Sequence, residues 1–239
     1  MSHVDGGTMP HRSLSGSQVA VLGASGVLGS RICQVLAARG ATVTAVGRDE
    51  ERLVASTRDL PGSTVLVGDL TDSGLGDRLV EQVRSGPGRL DGVVNAAGVV
   101  AFGSLADTPD EVIEELFLTN VVGPLWLLRR VLPLLVETDG FVAQISGVVA
   151  DRPTAGMVAY GAGKAALAAA DRALGTELRR SGVTVVDLRV PHTETGLVGR
   201  ALAGSAPRLP QGLEPAIVAE RVVEGIERGE AVVEAAAFG

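Results

Sequence analysis

The 239-residue sequence predicts a single α/β domain, a doubly wound parallel sheet of about seven strands flanked by helices. Three observations carry that prediction. Short apolar runs alternate with longer segments of helical period, as in stacked strand–helix–strand units. Several of the runs are continuously apolar, as strands covered on both faces are. Aromatic residues make up only 3% of the chain, so the core must be built from Val, Leu, Ala and Ile, which suits helices packed on a buried sheet. No composition break divides the chain, and a hydrophobic content of 46% is enough for one sizeable core.

The elements follow in order. Residues 1–17 are rich in Gly, Ser and His, lack the apolar stretch of a signal peptide, and read as a mobile tail before a domain over 18–239. Strands are expected at 18–22, 41–46, 64–67, 90–94, 141–145 and 183–188, with a weaker seventh at 231–235. Helical patterns occupy 27–39, 49–58, 75–84, 109–137, 156–180 and 215–228, with stops at Arg39-Gly40 and Ser181-Gly182. The one long unpatterned stretch, 191–214, follows the sixth strand, where open sheets of this kind bind ligands.

Charge and composition exclude some functions. A net charge of −7 argues against a nucleic-acid surface. The lone Cys33 has no partner for an internal disulfide, which fits a reducing cytoplasm, and as a small apolar residue it suits a buried helix face. The most apolar stretch, 125–136, is interrupted by Arg129 and Arg130 and is too short to span a bilayer, so no membrane partner is expected. No cluster of His, Cys and carboxylates stands at ligand spacing, so no metal site is expected.

The first strand runs directly into Gly23-Ala24-Ser25-Gly26-Val27-Leu28-Gly29 and then a helix. Glycines there let the backbone turn sharply and approach a pyrophosphate, whose charge the helix N-terminus stabilises. In that position the string points to a dinucleotide. The second strand ends in Val46-Gly47-Arg48-Asp49 without a carboxylate at its tip. An arginine there suits a 2′-phosphate, so NADP(H) is favoured over NAD(H), while Asp49 is placed to cap the next helix.

Tyr160 and Lys164 stand four residues apart on a helix, hence on one face, and Tyr160 is the only tyrosine. A free phenol titrates near pH ~10, so acid/base work at neutral pH needs a shift of roughly three units, or about 4 kcal/mol. A nearby ammonium supplies much of that by stabilising phenolate.

With these motifs stand Gly68-Asp69-Leu70 after the third strand, Asn95-Ala96-Ala97-Gly98 after the fourth, and Asn120-Val121-Val122-Gly123-Pro124 in the long helix. In this order and spacing the chain resembles the short-chain dehydrogenase/reductase family, a Rossmann-type fold, from residue 18 to about residue 228. The resemblance implies that Asp69 and Leu70 contact the adenine. It implies that Asn95, Ala96 and Ala97 line the cofactor's middle and steady the sheet. Tyr160 then exchanges a proton with the substrate oxygen, while Lys164 holds the nicotinamide ribose and lowers the tyrosine's pKa. Asn120 helps anchor a water linking the lysine to solvent. That last role has separate physical support: Pro124 has no N–H, so the Asn120 carbonyl four residues earlier loses its helical partner.

Two positions depart from the family. Its catalytic serine, thirteen residues before the tyrosine, is Gly147 here, with Ser146 one place earlier and expected on the opposite face. Losing a well-placed donor costs on the order of 10²–10³ in rate. Three readings stay open: Ser146 shifts into place, His192 or Thr193 substitutes, or the protein binds cofactor with little turnover. Where the family often has Pro-Gly after the sixth strand, this chain has Pro191-His192-Thr193-Glu194-Thr195, with Pro191 and Thr193 as expected cofactor contacts.

The leading expectation is an NADP(H)-dependent oxidoreductase for a small carbonyl or alcohol substrate, with Tyr160, Lys164, Asn120 and Ser146 as its catalytic set. The alternative is an NADP(H)-binding sensor or partner subunit. An epimerase or dehydratase of the extended branch is a third reading, for which the chain is too short. Helices 109–137 and 156–180 are apolar and Ala-rich on much of their surface, and the resemblance implies that these helices pair between subunits, so a homodimer or homotetramer is the expected assembly.

Overall fold

The computed structural model describes residues 11–239. Seven strands form one sheet in the order β3-β2-β1-β4-β5-β6-β7, every neighbouring pair parallel. They are β1 (Gln18–Leu22), β2 (Thr42–Gly47), β3 (Thr64–Val67), β4 (Gly92–Asn95), β5 (Phe141–Ile145), β6 (Thr184–Leu188) and β7 (Val232–Val233). The helices between them are α1 (Val27–Ala38), α2 (Glu50–Thr57), α3 (Leu75–Ser85), α4 (Asp110–Phe117), α5 (Gly123–Glu137), α6 (Val158–Leu178) and α7 (Pro215–Glu227).

Strand alternation sorts the core into two layers. Val19 and Val21 of β1 face Ile32, Cys33 and Leu36 of α1 and Val218, Val222 and Ile226 of α7. Ala20 and Leu22 face the other way, toward Leu75, Leu79 and Val83 of α3 and Leu127, Val131, Leu134 and Leu135 of α5. Both layers exclude water from the sheet, which is why its strands read as apolar throughout. On α3, Leu75, Leu79 and Val83 recur every fourth residue, and burial of each contributes roughly 1.5–3 kcal/mol. Asp49 caps α2, its carboxylate accepting from the Arg52 N–H at 3.0 Å.

The expected helix 109–137 is one helical path broken by a π turn at Leu118–Val122. Pro124 provides no N–H to the Asn120 carbonyl, and the Gly123 N–H bonds to the Leu118 carbonyl, five residues back. The stretch Asp110–Glu137 is long and apolar enough to cross a membrane, yet half of it is buried within the protein. Its apolar face is committed to α3 and the sheet.

The expectation of a mobile tail needs correction over its second half, while residues 1–10 lie outside those described. The Arg12 N–H bonds to the Glu227 carbonyl at 2.6 Å, and its guanidinium donates to the Asp139 carbonyl at 2.7 Å and lies over the Phe141 ring. Leu14 is 1% exposed, within the α1/α7 layer. One buried leucine and an arginine stacked on an aromatic are enough to fix a segment whose composition reads as polar.

Strand order reverses between β1 and β4, so the loops after those strands diverge and leave a crevice at the carboxyl end of the sheet.

Candidate active site

That crevice is a cleft of about 760 Å³. Its floor is the turn after β1. Gly23 has φ +74, and a Cβ there would stand 2.8 Å from the Ala97 backbone. At Gly29 a Cβ would stand 2.2 Å from the Gly23 carbonyl. Both positions therefore require glycine, and together they let α1 begin directly beneath the cleft. Gly23, Ser25, Gly26, Val27 and Leu28 all line it. Bare backbone at a helix N-terminus, with no side chain in the way, is the cradle a pyrophosphate needs.

At one end the cleft is bounded by the tips of β2 and β3. Arg48 and Asp69 line it there, paired at 3.5 Å with the arginine side chain 69% exposed. The other Asp69 oxygen accepts from the N–H and hydroxyl of Thr71, both at 2.9 Å, which fixes the carboxylate beside Leu70. In the middle, Ala96 and Ala97 line the cleft. Asn95 does not, which corrects part of the sequence reading. It is buried in the sheet, donating to Gln144 at 3.1 Å and accepting from the Ala97 N–H at 3.2 Å, so it shapes the strand end from behind.

Tyr160 and Lys164 face the opposite end from the first two turns of α6. The Lys164 ammonium donates to the Ile145 carbonyl at 2.7 Å and sits 6.0 Å from the centre of the Tyr160 ring. Beside them the Asn120 side chain clamps the Val99 backbone, its oxygen accepting from the N–H at 3.0 Å and its amide donating to the carbonyl at 2.9 Å. A Cβ on Gly98 would stand 2.9 Å from the Asn120 oxygen and 3.5 Å from the Lys164 nitrogen, so Gly98 gives these groups room to approach one another.

Burial sets the protonation states. It pushes the Tyr160 phenol up to about 12 and the Lys164 ammonium down to about 8, the latter opposed by Asp171 and Asp187. The sequence reading expected the lysine to lower the tyrosine; here burial of the phenol raises it instead. Tyr160 is therefore a neutral acid at pH 7, able to donate a hydrogen bond and a proton.

Ser146 borders the cleft, but it is fully buried and its hydroxyl donates to Asp187. The reason lies in the next residue. Gly147 has φ 79 and ψ 161, a conformation essentially restricted to glycine, and its N–H and that of Val148 continue the β6 pairing to Leu188 and Val190 at 3.0 and 3.1 Å. The chain turns away at Gly147 with no hydroxyl to offer.

Pro191, His192 and Thr193 line the same end. Thr193 donates to the Pro191 carbonyl at 2.9 Å, and His192 lies 3.7 Å from the Glu194 carboxylate. The unpatterned stretch after β6 folds back across the cleft. Leu202 and Ala203 bond to Val100 and Phe102 at 2.8 and 2.9 Å, and Thr193 bridges Leu213. Val148, Val149, Met157, Leu197 and Leu209 complete a largely apolar wall. Sequence reasoning missed these residues, because loops carry no periodicity. It also missed Asp171, Asp187 and Arg189, although a charge inside an apolar strand or Ala-rich helix was a signal on the page.

The chain is similar to known proteins in sequence and fold. The family model described as short chain dehydrogenase matches residues 17–205. A short chain dehydrogenase from Pseudocercospora fijiensis is 31% identical over 191 residues, 77% of this chain but only 62% of that longer relative. An uncharacterized oxidoreductase from Staphylococcus epidermidis is 31% identical over 202 residues, 83% of this chain and 87% of that protein. Among solved structures, a short-chain dehydrogenase from Streptomyces avermitilis superposes with a TM-score of 0.81 at 28% identity, covering 92% of this chain and 88% of that one. A 3-ketoacyl-(acyl-carrier-protein) reductase from Brucella melitensis, solved with NADH, has a TM-score of 0.85 at 21% identity over 93% and 97% of the two chains, a likeness of fold. With the family model matching most of its length and its motifs gathered around one cleft, the chain belongs to the short-chain dehydrogenase family.

Proposed function

We propose that the protein is an NADP(H)-dependent oxidoreductase acting on a small carbonyl or alcohol. One observation carries this reading: the single tyrosine of the chain and its lysine face the same cleft as the glycine cradle. The cradle's close-packed glycines fit a pyrophosphate, and of the residues lining the cleft Asp69 and Leu70 would contact an adenine and Lys164 would hold a ribose. When bound, a nicotinamide supplies or accepts the hydride at its C4. The protein's part is to orient the partners, exclude water with the wall of Phe102, Leu202 and Leu209, and exchange a proton at the Tyr160 hydroxyl. The Tyr160 hydroxyl, neutral at pH 7 and beside an ammonium, can exchange its proton with the substrate oxygen in either direction of the reaction. Arg48, exposed at the β2 tip, supports NADP(H) over NAD(H).

A second reading has its own observation. Gly147 carries no hydroxyl and that of Ser146 donates to Asp187, an arrangement that a cofactor-binding sensor or partner subunit would tolerate. His192 and Thr193 are the donors that would otherwise replace that hydroxyl. Tyr160→Phe separates the readings. Turnover on a panel of aldehydes and ketones with NADPH should vanish in the variant while NADPH affinity stays within about threefold, because the lost hydroxyl meets substrate and not the pyrophosphate. Turnover that persists in the variant overturns the mechanism; no turnover in the unaltered protein, with tight NADPH binding, favours the sensor. A homodimer or homotetramer through the helices around α4, α5 and α6 is the assembly proposed, read out by light-scattering mass.

A further inference from the structure

Around Lys164 and outside the cleft lining, the protein encloses a group of charges that the proton exchange at Tyr160 does not by itself explain. Lys164, Asp171, Asp187 and Arg189 are all 5% exposed or less. Two cations and two anions thus share a region without bulk water. Arg189 and Asp187, at the end of β6, pair at 2.8 Å, and the arginine also reaches Asp151 at 3.0 Å. Ser146 of the segment after β5 donates to Asp187. These partners account for one cation and one anion, leaving Lys164 and Asp171.

Those two stand seven residues apart on α6, two turns along one face. They are joined through β5. Lys164 donates to the Ile145 carbonyl at 2.7 Å, and the preceding residue, Gln144, donates its side-chain amide to one Asp171 oxygen while accepting from Asn95 of β4 at 3.1 Å. The other Asp171 oxygen is buried with no hydrogen-bond partner among the described residues. A carboxylate so placed is costly unless a cation in the same low-dielectric region balances it. Lys164 is the cation in this group that is not ion-paired among the described residues.

We propose that Asp171 is a positioning residue for the proton chemistry of Tyr160: through the buried interior along α6 it supplies the counter-charge that keeps Lys164 protonated near neutral pH. The electrostatics point the same way. Desolvation pushes Lys164 down to about 8 and Asp171 and Asp187 hold it up, while desolvation and Asp187 push Asp171 up to about 7 and the Gln144 hydrogen bond, Arg189 and Lys164 pull it back. Arg172 of α6 also acts on Asp187, and the polar neighbours Asn95, Gln144, Asn120 and Ser146 are neutral. This inference rests on the proposed oxidoreductase only for its catalytic consequence.

Lys164 is the only lysine in the sequence, so a single ¹³Cε-lysine NMR signal from the full chain reports its titration without any turnover. In Asp171→Asn the midpoint is expected to fall by about one pH unit. In the unaltered protein the same signal should show a second inflection as Asp171 ionises, a measurement that stands even where the variant fails to fold. A midpoint moved by less than about 0.2 units in a folded variant, or a single inflection in the unaltered protein, overturns the proposal. On any substrate that is turned over, the variant should match the unaltered protein at acid pH and fall about tenfold behind it once the lysine midpoint is passed. A pH-independent loss would mean a merely structural role and also overturns it. Absence of turnover in the unaltered protein would count against the proposed function alone, since the NMR titration still decides this one.

Discussion

Gly147→Ser restores the side chain that the family carries thirteen residues before its tyrosine, and the local backbone allows its consequence to be worked out. A Cβ at this position meets only the Val190 carbonyl, at 3.5 Å, so crowding contributes little. The penalty is conformational. With φ 79 and ψ 161 the residue lies in a region nearly closed to side-chain-bearing residues, where strain is of order 1–3 kcal/mol. The chain can escape by rotating to negative φ, but that puts at risk the bonds from the Gly147 and Val148 N–H groups to Leu188 and Val190, each contributing roughly 0.5–1.5 kcal/mol. Either route gives a loss of about 1–3 kcal/mol, or roughly 2–12 °C in Tm for a domain of this size. Thermal and urea unfolding of the purified variant measure it directly. Turnover should not improve unless the backbone rotates, because a hydroxyl grafted on the present conformation is not aimed by the geometry that aims the family's serine. A variant as stable as the unaltered protein, or more so, would refute the assignment of Gly147 to a glycine-only conformation and with it the account of why Ser146 faces inward.

Arg48→Ala should weaken NADPH binding about 10-fold to 100-fold, the range of one lost hydrogen bond to a charged group, and change NADH affinity by less than about threefold; equal losses for the two in fluorescence titrations would reject Arg48 as the 2′-phosphate ligand. Lys164→Met should abolish turnover and change the pH dependence of stability. Because the folded-state pKa is depressed from 10.5 to about 8, the lysine's contribution is fully present above 10.5 and is lost as pH falls to about 8. The stability of the unaltered protein relative to the variant should therefore drop by about 3 kcal/mol over that window, read from paired urea titrations, and a flat difference would contradict the burial of the charge. Cys33 is fully buried and its thiol is pushed up to about 12, so a thiol reagent near pH ~8 should label it only as the protein unfolds; rapid labelling of the folded protein would contradict its place in the α1 layer.

Much of the site was legible because its requirements are local. Gly23 and Gly29 must be glycine for the backbone to pass Ala97 and itself, and that demand shows in any sequence making such a turn. Tyr160 and Lys164 share a face by helical period alone. Pro124 announces the π turn by lacking an N–H. Strand ends shifted by a residue or two, as at β4, expected over 90–94 and found at Gly92–Asn95, because strand ends depend on which neighbour is there to pair.

The sequence by itself determined the architecture, the glycine turn and the shared face of Tyr160 and Lys164, since apolar period, glycine spacing and helical register act over a few residues and need no knowledge of distant partners. Only the tertiary structure decided the rest. It turned Ser146 to Asp187, stacked Arg12 on Phe141, and gathered Asp171, Asp187 and Arg189 behind Lys164 from two elements. It also buried the Tyr160 phenol, which raises its pKa. The physical reason is common to all four: a charge or hydroxyl is governed by what surrounds it in a region of low dielectric, and those surroundings come from residues tens of positions away in the chain, brought together by the sheet.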